Sequence, residues 1–162
     1  MLTSRNPHPN NADITVADKI ALSLRPHNPT QRKAPEPLDL PDLGSLSVDT
    51  STTYALCRVD ASGAVSARSV VGALGWQPRD PISYAVQSGV LIAHRNPEGL
   101  YQVPATSSLM IPAAARRASR ITVGQQILLA GLPAHAMLVI YPEAMVVQML
   151  RLFHDNLDRA NT

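Results

Sequence analysis

A mostly β domain with short helices, made of two tandem copies of one motif, is the fold class that this 162-residue sequence predicts. Short strand-like runs alternate with Gly- and Pro-containing corners from Tyr54 onward, and the order of elements repeats after 45 positions. A repeat of this size is too small to bury its own apolar face. We therefore expect a first copy over 54–97 and a second over 98–142 to close on each other, followed by an amphipathic helix over 143–160.

The N-terminal third differs in composition from the rest of the chain. Residues 1–53 contain seven of the fourteen prolines and no aromatic residue. Such a segment cannot bury enough apolar surface to offset the entropy lost on ordering, so a largely disordered arm is expected. Within it, apolar residues at helical spacing in ITVADKIALSL predict a short helix over 13–24, which a partner protein could stabilise.

The first copy begins with YALCRV, whose aromatic, β-branched and apolar residues favour a strand. After the turn ASG, the run SARSVVGALGW is expected to form a short helix that ends near Gly75. ISYAV and VLIAHR, separated by a Gly-containing turn, predict a β-hairpin.

The second copy repeats this order. LYQV and LMI read as strands, and PAAARRAS reads as a short helix with Pro112 in its first turn. QQILLAG and MLVIY predict a second hairpin across the turn LPAHA. When the chain is shifted against itself by 45 positions, the elements align without a gap through Val86, although few residues are identical.

The last helix carries one apolar stripe. Its members recur at i, i+3, i+4, i+7 and i+11: Val146, Met149, Leu150, Phe153 and Leu157. Packing against the preceding domain and packing against a second copy of the chain both explain such a stripe.

The middle of the chain is basic and its flanks are slightly acidic. Residues 54–125 contain seven basic residues, all arginine, and three acids: Arg58, Arg68, Arg79, Arg95, Arg116, Arg117 and Arg120 against Asp60, Asp80 and Glu98. The planar arginine side chain offers several donors that suit phosphate oxygens and guanine edges. This bias favours a polyanionic partner, although a solvated basic face is the commoner explanation of such a bias.

Other classes of function find little support. Cys57 is the only cysteine, so neither a disulfide framework nor a cysteine-based metal site is expected. His94, His135 and His154 lack a ligand spacing, and no nucleophile motif or carboxylate pair stands out. We expect no enzyme activity, metal or cofactor. The N-terminus lacks a signal-peptide core, and no run of apolar residues is long enough for a membrane span, so cytoplasmic residence is expected.

The string LMIPAAARRASRITVGQQILLAG…MLVIYP resembles the AbrB/MazE/SpoVT family of DNA-binding domains. In that family a strand ends in an apolar residue and proline, a short basic helix follows, and a G-[ILV]-x-x-G-D corner precedes a hairpin. Ile111-Pro112 matches the strand end, and Arg116-Arg117 match the basic helix. The corner departs from the pattern, because Arg120 stands for the first glycine and Gln125 for the aspartate.

The first copy fits the pattern more loosely. ALGWQPRD keeps Gly75 and Asp80 of the corner, but Arg79 replaces the second glycine, and Ala67 stands where Pro112 does in the second copy. Should those family glycines have positive φ, the two corner arginines would need strained backbone or a different path. The first copy is then a degenerate half, retained for closure of the domain.

The resemblance, over about residues 54–142, implies a swapped-hairpin β-barrel, here with both motifs supplied by one chain. It implies a sequence-specific transcription regulator that binds double-stranded DNA in the cytoplasm, at the nucleoid, as a homodimer through the C-terminal helix or the barrel. The expected DNA contacts are Arg116, Arg117, Arg120, Arg68, Arg79 and Arg58. Two alternatives stay open: an antitoxin, whose toxin-binding flank usually follows the barrel, and a barrel that binds proteins instead of DNA.

Overall fold

A computed structural model describes residues 42–46, 49–106 and 108–160. The helix predicted over 13–24 lies outside the described residues, as does most of the arm predicted over 1–53. After a single 3₁₀ turn at Leu43–Ser45, the described part is mostly β, as the sequence predicted.

The described residues form eight strands and three α-helices. The strands are β1 (Thr53–Arg58), β2 (Ala64–Ser66), β3 (Pro81–Gln87), β4 (Val90–Arg95), β5 (Tyr101–Gln102), β6 (Ser108–Met110), β7 (Gln126–Leu132) and β8 (Met137–Pro142). The helices are α1 (Arg68–Ala73), α2 (Ala113–Ala118) and α3 (Glu143–Ala160).

Six of these strands form one antiparallel sheet in the order β1-β7-β8-β4-β3-β5. The other two, β2 and β6, pair only with each other; we call this pair the ribbon. Strands β1 and β5 are the two edges of the large sheet, so no closed barrel is found among the described residues. The closed barrel expected from the resemblance is thus replaced by an open sheet and a separate ribbon.

The two halves of the sequence exchange strands within the large sheet. β1 of the first half pairs with β7 of the second, and β5 of the second half pairs with β3 of the first. At the centre β4 pairs with β8, where Ile92 lies opposite Val139. If each strand is exchanged for its counterpart in the other half, the strand order read from one edge of the sheet becomes the order read from the other edge.

The sequence analysis missed β2. The segment 66–76 was predicted as helix directly after a turn, whereas a three-residue strand precedes α1. Ala64 and Val65 are extended because they pair with Met110 and Leu109 of β6. A partner more than forty residues away leaves no local pattern in a run this short, so tertiary pairing decided the conformation.

The main core lies between one face of the sheet, the ribbon and the two short helices. Ile82, Leu91 and Leu138 of the sheet are fully buried there, and Trp76, which follows α1, is 4% exposed. The opposite face of the sheet carries a smaller cluster: Val90, Ala130, Leu132 and Val139, packed against Leu43, Leu46, Tyr141 and Met145.

The predicted C-terminal helix is present as α3, which begins directly after β8. Met145 in its first turn packs on the smaller cluster. From Val147 to the end of the helix every residue is exposed. Only the start of α3 is therefore covered by the rest of the described chain.

Candidate nucleic-acid interface

Both short helices end with the same backbone hydrogen bonds. The Trp76 N–H donates to the Val71 carbonyl at 3.2 Å, and at the end of α2 the Ile121 N–H donates to the Arg116 carbonyl at 2.8 Å. These bonds satisfy carbonyls that a helix end leaves without an intrahelical partner. The chain then enters a four-residue turn in each half, Gln77–Asp80 and Thr122–Gln125, which we call the first and second corners.

Each corner is closed by the side chain of its last residue. The Gln77 N–H donates to Asp80 Oδ2 at 2.8 Å, and the Thr122 N–H donates to Gln125 Oε1 at 3.0 Å. A glutamine amide oxygen thus accepts the same backbone hydrogen bond as an aspartate carboxylate.

The corner arginines adopt the left-handed conformation usually reserved for glycine. In the first half Gly75 has φ of 65° and Arg79 has φ of 73°; in the second half Arg120 has φ of 58° and Gly124 has φ of 82°. Each half therefore carries one glycine and one arginine, in exchanged order, on the same backbone path. The arginines accept the strain, about 1 kcal/mol for an ordinary side chain, instead of changing the path.

Arg116 is bonded to the backbone of its own half and lies over a glycine of the first half. Its Nε donates to the Ile111 carbonyl at 3.1 Å, and the side chain is half-buried. It lies directly over Gly63, where an added Cβ would be 2.8 Å from Arg116 Nε. Gly63 has φ of 87°, which allows the tight turn at this point. Because it has no side chain, it also leaves room for the Arg116 guanidinium.

Three more arginines lie in or beside the second corner. Arg117 and Arg120 are exposed, and no carboxylate in the described ranges is within ion-pairing distance of either side chain. Arg58, at the end of β1, donates from Nη1 to the Gly124 carbonyl at 2.6 Å. We call Arg58, Arg116, Arg117 and Arg120 the second-corner cluster.

The first corner carries less unpaired positive charge. Arg68 opens α1 and Arg79 is exposed in the corner itself. Asp80 closes the same corner and forms an ion pair with Arg95, whose Nη1 lies 3.6 Å from Asp80 Oδ2. Of the six arginines expected to contact DNA, four thus belong to the second-corner cluster, and two to the first half.

Asp60, in the turn after β1, is the acid of the basic middle segment that lies nearest to Gly63 in sequence. Its Oδ1 accepts from the Ser62 N–H at 2.8 Å, the Ser62 hydroxyl at 2.6 Å and the Ala64 N–H at 2.9 Å. The Ser62 and Ala64 hydrogen bonds lower the pKa of this carboxyl group. The carboxylate is therefore used to fold its own turn and does not pair with Arg116.

The ribbon joins the two helices. Because β2 and β6 are antiparallel, Ser66 at the end of β2 lies opposite Ser108 at the start of β6, and α1 and α2 depart from opposite ends of the ribbon. Three residues per strand separate the helix starts by about 10 Å along the ribbon. Tyr84 of β3 donates from its hydroxyl to the Met110 carbonyl at 2.8 Å, which ties the end of β6 to the large sheet.

A groove of about 440 Å³ lies beside Arg120. Val86, Ala118 and Met145 supply apolar walls, and Gln148 of α3 supplies a polar edge. On the first half, α1 packs instead on β7 without this space, because an added Cβ at Gly131 would meet the side chain of Val70 at 2.7 Å. The groove thus lies beside α2, at a place whose equivalent beside α1 is closed by the contact between Val70 and Gly131.

Sequence reasoning missed three features of this region: the glycine beneath Arg116, the bond from Arg58 to the second corner, and the groove. The turn signal at Ser62-Gly63 was visible, but nothing local indicates that an arginine more than fifty positions away covers it. The bond from Arg58 depends on strand exchange, which pairs the end of β1 with the other half.

Within the described ranges, no group of His, Cys, Asp and Glu residues is arranged to hold a metal ion. In the same part of the chain, no helix has the length and apolar character needed to cross a membrane. Comparison of the chain with protein-family models, with curated proteins and with solved structures finds no match.

Proposed function

We propose that this protein is a sequence-specific DNA-binding transcription regulator that contacts duplex DNA through the second-corner cluster. The observation that carries the proposal is the gathering of four arginines around one corner, with no acid paired to them among the described residues. Unpaired guanidinium groups at a surface are the usual source of phosphate contacts, and these contacts supply most of the affinity.

The arrangement of the strands supports the same proposal. In a swapped-hairpin domain with both motifs in one chain, each half would be expected to give an edge strand to the other half. Here β1 pairs with β7 and β5 pairs with β3. The shared helix ends and corners add to the resemblance to AbrB-like domains. In this proposal the first half supplies the frame, and its Arg68 and Arg79 provide a weaker second set of contacts.

The four members of the cluster differ in how they are held. Arg58 and Arg116 are tied to backbone carbonyls, so their remaining donors keep a defined direction. Arg117 and Arg120 are exposed and have no such bond. The first pair suits contacts that need fixed geometry, such as base edges, and the second pair suits phosphates.

The test compares Arg117→Ala/Arg120→Gly with Arg151→Ala/Arg159→Ala on α3, a control with the same loss of charge. Glycine replaces Arg120 because its φ is positive. Binding to random duplex is titrated at several salt concentrations. The wild-type affinity should fall steeply with salt, and the Arg117/Arg120 variant should lose roughly tenfold in affinity and about two units of salt slope, since each phosphate contact contributes about 0.9. The control should retain both.

A wild-type salt response that is flat, or equal losses in the two double variants, would count against DNA as the partner. Sequence specificity is tested by mapping the genomic positions that the tagged protein occupies. A shared sequence motif under those positions supports a regulator, whereas uniform occupancy supports charge-driven binding alone.

A protein-binding role is the second candidate, and the exposed apolar stripe of α3 favours it. The two candidates separate in the same titration, because a protein-binding module would show no salt-dependent affinity for duplex DNA. An antitoxin would share the DNA binding, and a toxin gene beside its own would distinguish it.

A further inference from the structure

The outer part of α3 has an apolar face that the rest of the described chain leaves uncovered. Its large apolar side chains are between 40% and 58% exposed: Val147, Met149, Leu150, Leu152, Phe153 and Leu157. Single exposed apolar residues are ordinary, but six within eleven positions of one helix form a patch.

This patch belongs to a segment that needs support to remain helical. Only the first turn of α3 packs on the sheet, through Met145, and all residues from 147 to 160 are exposed. A free helix of about 12–15 residues is marginal in water, because most helical stability in proteins comes from packing of the apolar face. A partner that covers the patch would supply that packing.

The spacing of the stripe indicates what kind of partner fits. The positions alternate by four and three residues, as in a coiled coil: Val146, Leu150, Phe153, Leu157 and Ala160. We call these five residues the α3 seam. It is about 21 Å long, and it matches another helix with the same spacing.

The charges on α3 favour a second copy of the same chain. The positions that flank the seam carry no Asp, Glu, Lys or Arg: Val147, Met149, His154 and Asn156. The charged residues of the outer turns lie away from it: Arg151, Asp155, Asp158 and Arg159. Two copies therefore meet without like charges at the seam, whereas a strongly acidic or basic partner helix would find no complementary charge there.

We infer that the α3 seam pairs with the α3 seam of a second copy, which makes the protein a homodimer through its C-terminal helix. The seam spans only about two heptads, so the dimer should dissociate on dilution in the micromolar range. In this dimer the first turn of α3 remains packed on the sheet of its own chain, and the exposed part of the helix forms the interface. This inference does not depend on DNA binding.

Sedimentation of the full chain over a dilution series is the first test. Leu150→Ala, on the seam, is compared with Leu152→Ala, off the seam, since these side chains are 55% and 56% exposed and lose the same atoms. The wild type should shift from dimer to monomer on dilution. Leu150→Ala should weaken the dimer by roughly tenfold, as expected of a central interface residue, and Leu152→Ala should leave it nearly unchanged.

Disulfide trapping is the second test. Cys57 is the only native cysteine, and burial raises its pKa to about 11, so Cys57→Ser provides a quiet background. Leu157→Cys alone should form a cross-linked dimer if the helices are parallel. If they are antiparallel, the set Leu150 and Leu157 faces the set Val146 and Phe153, so cross-links should form only when the Val146→Cys and Leu157→Cys variants are mixed. Either pattern supports pairing along the seam.

A chain that stays monomeric at every concentration, or fails to cross-link in both designs, would overturn the inference. So would equal weakening by Leu150→Ala and Leu152→Ala, which would indicate unspecific association. Coverage of the seam by residues 1–40 of the same chain would appear as a monomer that Leu150→Ala destabilises only while those residues are present. None of these readouts uses DNA, so loss of the dimer and loss of DNA binding are separate results.

Discussion

The two halves of the domain share a backbone path and differ in side chains. Residues 54–97 and 98–142 have matching helix ends and corners, although few residues are identical in the two halves. The helix of the first half packs closely on the sheet and one of that half's arginines pairs with an acid, while the helix of the second half borders a groove and that half's three arginines have no acid partner among the described residues. The close packing around α1 thus maintains the fold, whereas the groove and the arginines without acid partners are available for binding.

Helix packing shows this division directly. In the first half Val70 of α1 is fully buried and lies against Gly131 of β7. The corresponding pair is Ala115 of α2 and Val86 of β3, and Val86 is 41% exposed beside the groove. The contact between Val70 and Gly131 is tight, and the equivalent contact between Ala115 and Val86 is loose. A larger side chain is therefore expected to be more destabilising at Gly131 than a changed side chain is at Val86.

The largest expected effect is therefore that of Gly131→Val, which places beneath α1 the side chain that Val86 has at the equivalent position beside α2. A Cβ at Gly131 would lie 2.7 Å from Val70 Cγ1, so the helix must move or the side chains must leave their rotamers. We expect the free energy of unfolding, measured with urea, to fall by about 2 kcal/mol. The control Val86→Ala should cost less than about 1 kcal/mol. Equal effects would mean that the halves are packed alike.

A smaller effect, of opposite sign, is expected at the corner arginines. Arg79→Gly and Arg120→Gly each remove a Cβ from backbone with φ of 73° and 58°. Relief of that strain should raise the free energy of unfolding by about 1 kcal/mol, less the entropy that glycine adds to the unfolded chain. The matched variants Arg79→Ala and Arg120→Ala lose the same charge and keep the Cβ. A gain of the same size in the alanine variants would assign the effect to charge.

The smallest expected effect is the loss of stability in acid that comes from Asp60, in the turn after β1. Hydrogen bonds from Ser62 and Ala64 lower the pKa of Asp60 in the folded state, so its contribution is present above the ordinary carboxyl pKa of about 3.9 and is lost as the pH falls through the lowered value. The 45-residue shift places Ala105, which has no carboxyl group, at the equivalent position in the second half. The melting temperature of the wild type should exceed that of Asp60→Asn at neutral pH, and the gap should narrow in acid. A gap that is constant with pH would contradict this role.

Much of the local structure was predictable because its signals are local. Alternating apolar runs indicated the hairpins, Pro112 marked the start of α2, and the stripe from Val146 onward predicted α3. The 45-residue repeat also predicted that the two corners would be equivalent, and their hydrogen bonds are. The sequence left open whether Arg79 and Arg120 would accept backbone strain or take another path, and in the structure both lie in the left-handed region.

What the sequence by itself determined is the kind of each longer element, the doubling of the motif and the close spacing of Arg116, Arg117 and Arg120 in its second copy, because periodicity and charge can be recognised from neighbouring residues. Only the tertiary structure decided that the halves exchange edge strands, that the sheet stays open, that the ribbon exists, that Arg58 is bonded to the second corner and that Arg116 lies over Gly63. These features rest on contacts between residues tens of positions apart. Such contacts form only when long loops are closed and the apolar faces of both halves are buried together.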